Sequence, residues 1–434
     1  MVNFARLLYY LGCGLRRLYW NKKKFRQYQE KRLRAIVRYA YEYVPFYHKK
    51  FKAAGIRPDD IKYLEDLRKL PLVRKSELRQ VPLRQRVSLE FNVNKLKVIR
   101  TSGSTGEPFQ IYISGAEDDW RKAIYMRANI SCGQRPRDRW VVITGPHHFH
   151  DTTKIQRLLG IFAQRCISVF ADVEEQVSFV LKENPDVLDG YSGSLFLIAN
   201  EFKKNGLKVN PRIIFGTAEI IDDLARRFIE NVFGAPFYDQ FGCAEVDRSA
   251  WECPERVGYH MDVDSVITQF VDADGEEVSA GEKGEVVYTS LFNYAMPLIR
   301  YAVGDIGQPT NEVCSCGRVL PLMKVIEGRR DSFVVLSNGR VISPRAFVIA
   351  MRMFKWYSEV DQFRVIQKSL SHFEFFIKKK ACSVVDENVI VEDLAKHFKS
   401  TLNVDDVNFD VKFVDEIPLG KGGKLSSVIS EVKF

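Results

Sequence analysis

No stretch of the chain approaches the ~20 uninterrupted apolar residues that a membrane-spanning helix needs, so no such helix is expected. The 434 residues carry no internal repeat and no low-complexity tract, which removes solenoid and collagen-like architectures. Cysteine is sparse: 8 residues at irregular spacing do not make a disulfide framework, and they read as free thiols or metal ligands. A Gly-x-x-x-x-Gly-Lys-Ser/Thr phosphate loop is absent. So are the usual signatures of nucleic-acid-binding modules, and no nucleic-acid partner is expected. At the start of the chain, Arg6 precedes only the short apolar run Leu7–Leu15. Arg16 and Arg17 close it without a small-residue cleavage site, so the expectation is a cytoplasmic protein rather than a secreted one.

What is present is ordinary globular material, 46% apolar and 28% charged, enough for a large domain plus a smaller one. The net charge of +10 is unevenly spread. Residues 1–54 hold Arg6, Arg16, Arg17, Lys22, Lys23, Lys24, Arg26, Lys31, Arg32, Arg34 and Arg38 among their basic residues, against only Glu30 and Glu42. Apolar and aromatic residues such as Leu7, Tyr9, Leu11 and Trp20 share that region. A basic amphipathic helix of this kind can make peripheral contact with an anionic membrane surface. Equally, it can pack on the main domain with its charges in water.

Downstream, short apolar runs alternate with helical patterns. Trp140–Thr144, Ile167–Phe170, Asp186–Leu188, Arg212–Phe215 and Pro236–Tyr238 read as buried strands. The segments 155–162, 174–182, 194–203 and 222–231 read as helices between them, an α/β arrangement with largely parallel strands. From Val266 the texture changes to antiparallel strands, Val266–Val271 and Gly284–Ser290, around an Asp-Ala-Asp-Gly turn. Beyond Gly328–Asp331 a hairpin (333–343), a helix (345–355), strands at 362–367 and 372–378, a helix (391–402) and a strand (407–414) make a compact α+β unit. The expected division is 1–328, a large α/β domain with layered sheets, and 329–434, a small α+β domain joined by a hinge.

Five segments carry chemistry. Thr101-Ser102-Gly103-Ser104-Thr105-Gly106-Glu107-Pro108 follows the apolar pair Val98-Ile99; its small residues let backbone N–H groups converge on phosphate oxygens, although alone such a turn is usually just a loop. Tyr238-Asp239-Gln240-Phe241-Gly242-Cys243-Ala244-Glu245 reads as a strand entering a glycine turn with an acid beyond it. Glu245 is either a ligand for Mg²⁺ beside a nucleotide or a solvated turn residue. Ile299-Arg300-Tyr301-Ala302-Val303-Gly304-Asp305 and Gly328-Arg329-Arg330-Asp331 offer an aspartate for ribose hydroxyls and an arginine for sugar or phosphate. Gly420-Lys421-Gly422-Gly423-Lys424-Leu425 places lysine on a glycine loop, where it can neutralise charge on a transferring phosphoryl group.

The order and spacing of these segments resemble the adenylate-forming superfamily of acyl-CoA synthetases. Length and N-terminus look like its phenylacetate–CoA ligase branch, with capsular-polysaccharide-type relatives. Pro45-Phe46-Tyr47, Leu70-Pro71-Leu72-Val73-Arg74-Lys75 and Cys316-Gly317-Arg318-Val319-Leu320-Pro321 support it. The resemblance implies an enzyme that activates a carboxylic acid with MgATP as an acyl-adenylate and passes the acyl group to coenzyme A. It implies that Thr101, Ser102, Gly103, Ser104, Thr105 and Gly106 hold the ATP phosphates. Gly216, Thr217, Ala218 and Glu219, with Asp239, Gln240, Phe241 and Gly242, would line the nucleotide and acyl pockets. Glu245 would ligate Mg²⁺, Asp305 and Arg329 would bind ribose, Asp331 would be the hinge, and Lys424 the adenylation lysine. Three departures stand out: Glu107-Pro108 closes the phosphate loop without a lysine, Ala302-Val303 precedes Gly304 where Arg-Thr is common, and Lys421 rivals Lys424. The alternatives are an adenylyltransferase or a ligase with a non-CoA acceptor, and a catalytically inactive membrane-associated scaffold. The acid itself is not legible: Tyr191, Gly193 and Phe241 can shape an apolar pocket or belong to the core.

Cys253, His260, Cys314 and Cys316 form a candidate Cys₃His set for structural Zn²⁺, since four protein ligands leave no open position. The Cys-x-Cys spacing is tighter than a usual zinc knuckle, but similar placements in the resembled branch favour the set.

Overall fold

The computed structural model describes residues 3–100, 109–146, 154–218, 221, 223–327, 334–336, 341–342, 344–380, 383, 385–402, 404, 406–417 and 427–432. They divide into two compact units. One takes the described residues of Met1–Thr101, Phe109–Gln134 and Tyr238–Gly328, the other those of Arg135–Phe237 and Arg329–Phe434.

In the first unit the basic N-terminus folds into helices Phe4–Arg17, Lys22–Tyr43 and Pro45–Ala53. Asn3 and Asn21 cap the first two, their side chains accepting from the backbone N–H of Arg6 and Lys24, and Pro45 opens the third where its missing N–H costs nothing. Leu7, Leu11 and Gly14 are buried, and the helix Phe4–Arg17 packs on the helix Gly115–Ser131. An Arg6–Asp119 ion pair of 2.6 Å joins the two. The apolar stripe of the first helix therefore faces protein. Among the described residues, no helix is long and apolar enough to cross a membrane.

Beneath these helices lies a buried ionic cluster. Arg127, with no exposed side-chain surface, reaches Asp262 at 2.6 Å and Asp264 at 2.7 Å. Arg17 adds a 2.7 Å contact to Asp264, and the Trp251 indole donates to Asp262 at 3.0 Å. Burial disfavours the Asp264 carboxylate, but Arg127 and then Arg17 hold its pKa well below the usual range.

The sheet of this unit is antiparallel throughout, in the order Val266–Val271, Gly284–Ser290, Tyr301–Pro309, Leu322–Glu327, Tyr259–Met261, Asp247–Glu252 and Phe237–Cys243. A two-residue strand, Val73–Arg74, runs parallel to Tyr301–Ala302 at its flank. The strands Lys97–Arg100 and Gln110–Ile113 pair antiparallel and bracket the 101–108 segment, which lies outside the described residues.

The second unit contains four parallel strands in the order Gln164–Ser168, Trp140–Thr144, Val187–Tyr191 and Ile213–Thr217. Helices Lys154–Leu159, Val173–Glu183, Ser192–Lys204 and Asp223–Phe233 alternate with them, as the sequence pattern requires. Fully buried Val141, Ile143, Leu188, Leu195, Ile198 and Ile214 lie in its core. Its C-terminal portion carries a mixed sheet ordered Asn408–Phe413, His372–Lys379, Val360–Ser369 and Val428–Ser430. Helices Pro344–Met353 and Glu387–Leu402 accompany it, and Phe347, Phe363, Phe375 and Phe398 belong to one apolar core.

The expected α/β fold class, a large multistranded sheet plus a C-terminal α+β portion, is therefore observed. Trp140–Thr144, Val266–Val271 and Gly284–Ser290 form strands with the expected limits. Elsewhere the ends move: the strand read at 167–170 runs Gln164–Ser168, and that read at 236–238 runs on to Cys243. Backbone pairing with neighbours extends these strands through polar residues that periodicity alone leaves out. The expected domain boundary at Gly328–Asp331 lies outside the described residues.

Candidate functional site

Glu245 sits in the turn between two antiparallel strands, Phe237–Cys243 and Asp247–Glu252. The sequence suggested that the chain turns at Gly242; instead Gly242 lies within the strand, and the reversal falls at 244–246. Glycine is needed at that point because a Cβ there would collide with the backbone of Asp247 and Arg248 on the partner strand. Asp247 resumes the strand at φ 65°, a left-handed conformation that tightens the turn.

The solvated-turn reading of Glu245 does not hold, since its side chain is buried. Two groups converge on one of its oxygens, Oε1: the Lys75 ammonium at 2.7 Å and the Tyr301 hydroxyl, which donates at 3.1 Å. Burial pushes the carboxyl up, but the charge and hydrogen bond of Lys75 outweigh it, so the pKa lies below the usual glutamate value. The backbone of the turn is fixed from behind. Arg121, on the helix Gly115–Ser131, donates to the carbonyl oxygens of Ala244 at 3.3 Å and Glu245 at 2.8 Å, while its guanidinium pairs with buried Glu117 at 2.9 Å.

Lys75 reaches this position through a second chain of contacts. Arg300 is buried and sits at φ 49°. It donates to the carbonyls of Leu70 at 2.6 Å and Arg68 at 3.0 Å, tying the 68–70 segment beside the sheet. Val73 and Arg74 then pair with Tyr301 and Ala302, and the helix Lys75–Gln80 begins at once, with Lys75 as its first residue. Asp305 lies on the same strand as Tyr301, within a bulge. The pairs Val287↔Ala302 and Glu285↔Ile306 leave Val286 opposite three residues, Val303, Gly304 and Asp305, with Gly304 at φ 78°. Asp305 and Glu245 share one electrostatic neighbourhood: burial first, then Glu245 and Asp305, push the Cys243 thiol well above its ordinary pKa.

Asp239 and Gln240 have intramolecular partners. The Tyr259 hydroxyl donates to Asp239 at 2.7 Å, and Gln240 donates to the Asn129 side chain at 2.9 Å, linking the strand to the helix Gly115–Ser131. Phe241 is half-buried and Gly242 exposed, at the end of the strand nearer Glu245. In the second unit, Gly216 and Thr217 end the parallel strand Ile213–Thr217, and the chain leaves it through Ala218 at φ 71°. Carboxyl ends of parallel strands are where ligands bind in α/β sheets. A Cβ at Gly216 would collide with the Phe237 ring, so the close packing there excludes a side chain. Tyr191 packs in a small apolar cluster with Val169 and Phe170. Thr101, Ser102, Gly103, Ser104, Thr105, Gly106, Glu219, Arg329, Asp331, Lys421 and Lys424 lie outside the described residues.

Sequence reasoning gave Lys75 and Arg121 no role. Lys75 was within reach, because Leu70–Lys75 already stood out as a segment; Arg121 is one of many helical arginines and carries no signal of its own.

The candidate metal set comes together in the first unit. The ligand atoms of Cys253, His260, Cys314 and Cys316 all lie within 4.8 Å of one another. Cys253 Sγ is 3.5 Å from Cys314 Sγ, and Cys316 Sγ is 3.3 Å from His260 Nε2. Tetrahedral zinc with Zn–S bonds of about 2.3 Å implies S···S separations of about 3.8 Å, so the donor set fits. His260 Nδ1 lies 3.4 Å from the Leu320 carbonyl, which directs Nε2 toward the sulfurs.

No protein-family model matches the chain. Among curated proteins it is 30% identical over 331 residues to a phenylacetate-coenzyme A ligase of Aromatoleum evansii, covering 73% of each chain. It is 29% identical over 335 residues to the phenylacetate-coenzyme A ligase of Thermus thermophilus, covering 74% of each. Protein CapK of Staphylococcus aureus is 24% identical over 356 residues, 78% of this chain and 75% of that one. Among solved structures, 2-hydroxyisobutyryl-CoA ligase in complex with 2-HIB-AMP and CoA aligns over 96% of this chain and 91% of its own. The TM-score is 0.67 at 22% identity, which establishes a shared fold.

Proposed function

The chain belongs to the phenylacetate–coenzyme A ligase family, and on that premise we propose that it activates a carboxylic acid with MgATP as an acyl-adenylate and transfers the acyl group to coenzyme A. The observation that carries the reading is the buried Glu245 carboxylate, kept ionised by Lys75 and Tyr301 in the neighbourhood of Asp305. A buried carboxylate is costly to keep charged, and Lys75 offsets that cost.

In this reading Glu245 holds Mg²⁺, which takes one or two carboxylates and leaves its other positions to phosphates and water. Bound there, the cation would neutralise charge on the phosphates during displacement. Arg121 fixes the turn that presents Glu245, and Lys75 balances the carboxylate until the nucleotide arrives. Asp305 and Arg329 accept and position the ribose, while residues 101–106 hold the phosphates through backbone N–H groups. The family resemblance gives Gly216, Thr217, Ala218 and Glu219, and likewise Asp239, Gln240, Phe241 and Gly242, roles in binding the nucleotide and acyl group. The carboxylate of the acid attacks the α-phosphorus and pyrophosphate leaves, with Lys424 stabilising the charge that develops. Coenzyme A then attacks the acyl carbonyl through its thiol and AMP leaves. A swing of the 329–434 portion about Asp331 separates the two half-reactions, withdrawing Lys424 after the first.

Cys253, His260, Cys314 and Cys316 would hold a structural zinc, which would staple the strand Tyr259–Met261 to the loop before Leu322. Its role is to fix the sheet that carries Glu245 rather than to react.

The test is ATP–pyrophosphate exchange across a panel of carboxylic acids, phenylacetate first, followed by AMP release with and without coenzyme A. Acid-dependent exchange and coenzyme A-dependent AMP release support the proposal. Exchange without coenzyme A dependence assigns another acceptor, and no exchange with any acid removes the ligase reading.

A further inference from the structure

The N-terminal helices, with Trp120 of the helix Gly115–Ser131, line an open cavity of about 430 Å³ formed by Tyr9, Tyr10, Cys13, Arg16, Arg17, Trp20, Lys24, Tyr28, Arg32 and Trp120, none of them a residue of the Glu245 site. That volume is in the range of small-molecule sites. Its chemistry is one-sided: four cations and five aromatic rings, with no acidic lining residue.

Rings rather than carboxylates hold Lys24 and Arg32, and rings also flank Arg17. Lys24 Nζ sits 4.2 Å from the Trp20 ring centre, and the Arg17 guanidinium lies 5.1 Å from Tyr28 and 5.0 Å from Trp120. Arg32 lies 5.6 Å from Tyr28 and 4.4 Å from Phe292. A ring orders a cation without cancelling its charge. Among the described residues, Arg16, Lys24 and Arg32 have no carboxylate partner within ion-pair distance. Arg17 does have one, Asp264, but Asp264 also serves Arg127. Arg17 is only 6% exposed, and its Nη2 lies buried beside Gly14, so the cations open to a ligand are Arg16, Lys24 and Arg32.

We propose that this cavity binds an organic phosphate: a phosphate group on Lys24 and Arg32, carried on a planar or apolar body that lies against Trp20 and Tyr10. Two sources share that chemistry, a soluble aryl or nucleoside phosphate and the headgroup of an anionic phospholipid. Exposed Leu8, Tyr9 and Tyr19 on the same helical segment would meet the bilayer in the second case. The proposal does not depend on the ligase reading, since the two sites share no residue.

Cys13, a half-buried free thiol in the lining, reports occupancy directly. Its alkylation by iodoacetamide is followed by peptide mass spectrometry on the full chain, with Cys166 in the second unit as internal reference. Phenyl phosphate at ten times its Kd should slow labelling of Cys13 about tenfold and leave Cys166 unchanged. Lys24→Gln combined with Arg32→Gln should abolish the protection. Arg16→Gln with Lys24→Gln, two exposed positions, is the companion variant should Arg32 prove necessary for folding. In a parallel arm, phosphatidic acid in phosphatidylcholine vesicles replaces phenyl phosphate. Protection by vesicles alone assigns the headgroup, and protection by phenyl phosphate alone assigns a soluble ligand. Protection by neither, or equal protection in wild type and in the folded variants, overturns the proposal.

Discussion

Replacing Glu245 with glutamine separates a catalytic role from a structural one. The substitution keeps the side-chain volume and an oxygen to accept the Tyr301 hydrogen bond, and it removes only the charge opposite Lys75. Removing one member of a fully buried ion pair costs about 3–5 kcal/mol, because the other charge is stranded. Here the Lys75 side chain is 30% exposed, so its ammonium can turn to water, and the expected loss of stability is about 1 kcal/mol. Catalysis should suffer more. Losing a preorganised charge that acts on the displaced phosphates typically lowers a rate 10²–10³-fold, about 3–4 kcal/mol of barrier. The assay is single-turnover formation of the acyl-adenylate over a range of Mg²⁺ concentrations, beside urea unfolding of the same preparations. The variant should be slow at every Mg²⁺ concentration and nearly as stable as wild type. Retention of more than about a third of the rate would refute the role given to Glu245. So would a stability loss of about 3 kcal/mol that accounts for the lost activity by unfolding.

The ionic cluster makes a different prediction: Arg127→Ala leaves Asp264 with Arg17 alone and Asp262 with Trp251 and a longer Arg248 contact, and should cost about 3 kcal/mol, read as a lowered urea midpoint. Because the folded Asp264 pKa lies below its unfolded value of about 3.9, its contribution is complete above about pH 4 and is lost as the pH falls further. The Asp264→Asn chain should accordingly be less stable at neutral pH but show a shallower decline between pH 5 and pH 3; an unchanged acid limb would remove Asp264 as its source. Lys424→Ala should abolish acid-dependent pyrophosphate exchange while Lys421→Ala stays within a few-fold of wild type, and the reverse pattern would exchange their roles. Purified protein should contain one zinc per chain by elemental analysis, and Cys314→Ser should lose it and melt earlier. A metal-free wild type with unchanged melting would dismiss the staple.

How much of this was legible in the residues depends on how local the cause is. The alternation of apolar runs and amphipathic stretches between 140 and 233 is enough to specify helices between parallel strands, because burial on a sheet and on a helix face leaves different periods. The family motifs are equally local, and their order along the chain identified the superfamily. The Cys₃His set was readable by residue type, since few other uses suit three cysteines and a histidine.

The rest belongs to contacts between distant residues. Sequence left Glu245 divided between ligand and solvated turn; burial beside Lys75 and Tyr301, one 170 residues before it and one 56 after, removes the solvated turn. It placed the turn at Gly242 because glycine punctuates chains; the fold spends that glycine on a close approach between strands and reverses two residues later. It did not foretell how the basic N-terminus packs: the tertiary structure sets the helix Phe4–Arg17 on the helix Gly115–Ser131, with Arg17 and Arg127 sharing Asp264, and leaves Leu8, Tyr9 and Tyr19 exposed. The sequence alone determined the elements and their chemistry, because propensity, periodicity and motif spacing act over a few neighbouring residues. Which charges are paired and which acid is kept ionised in the interior were decided only by the tertiary structure, because electrostatic free energy depends on burial and on neighbours that the chain brings together from far apart.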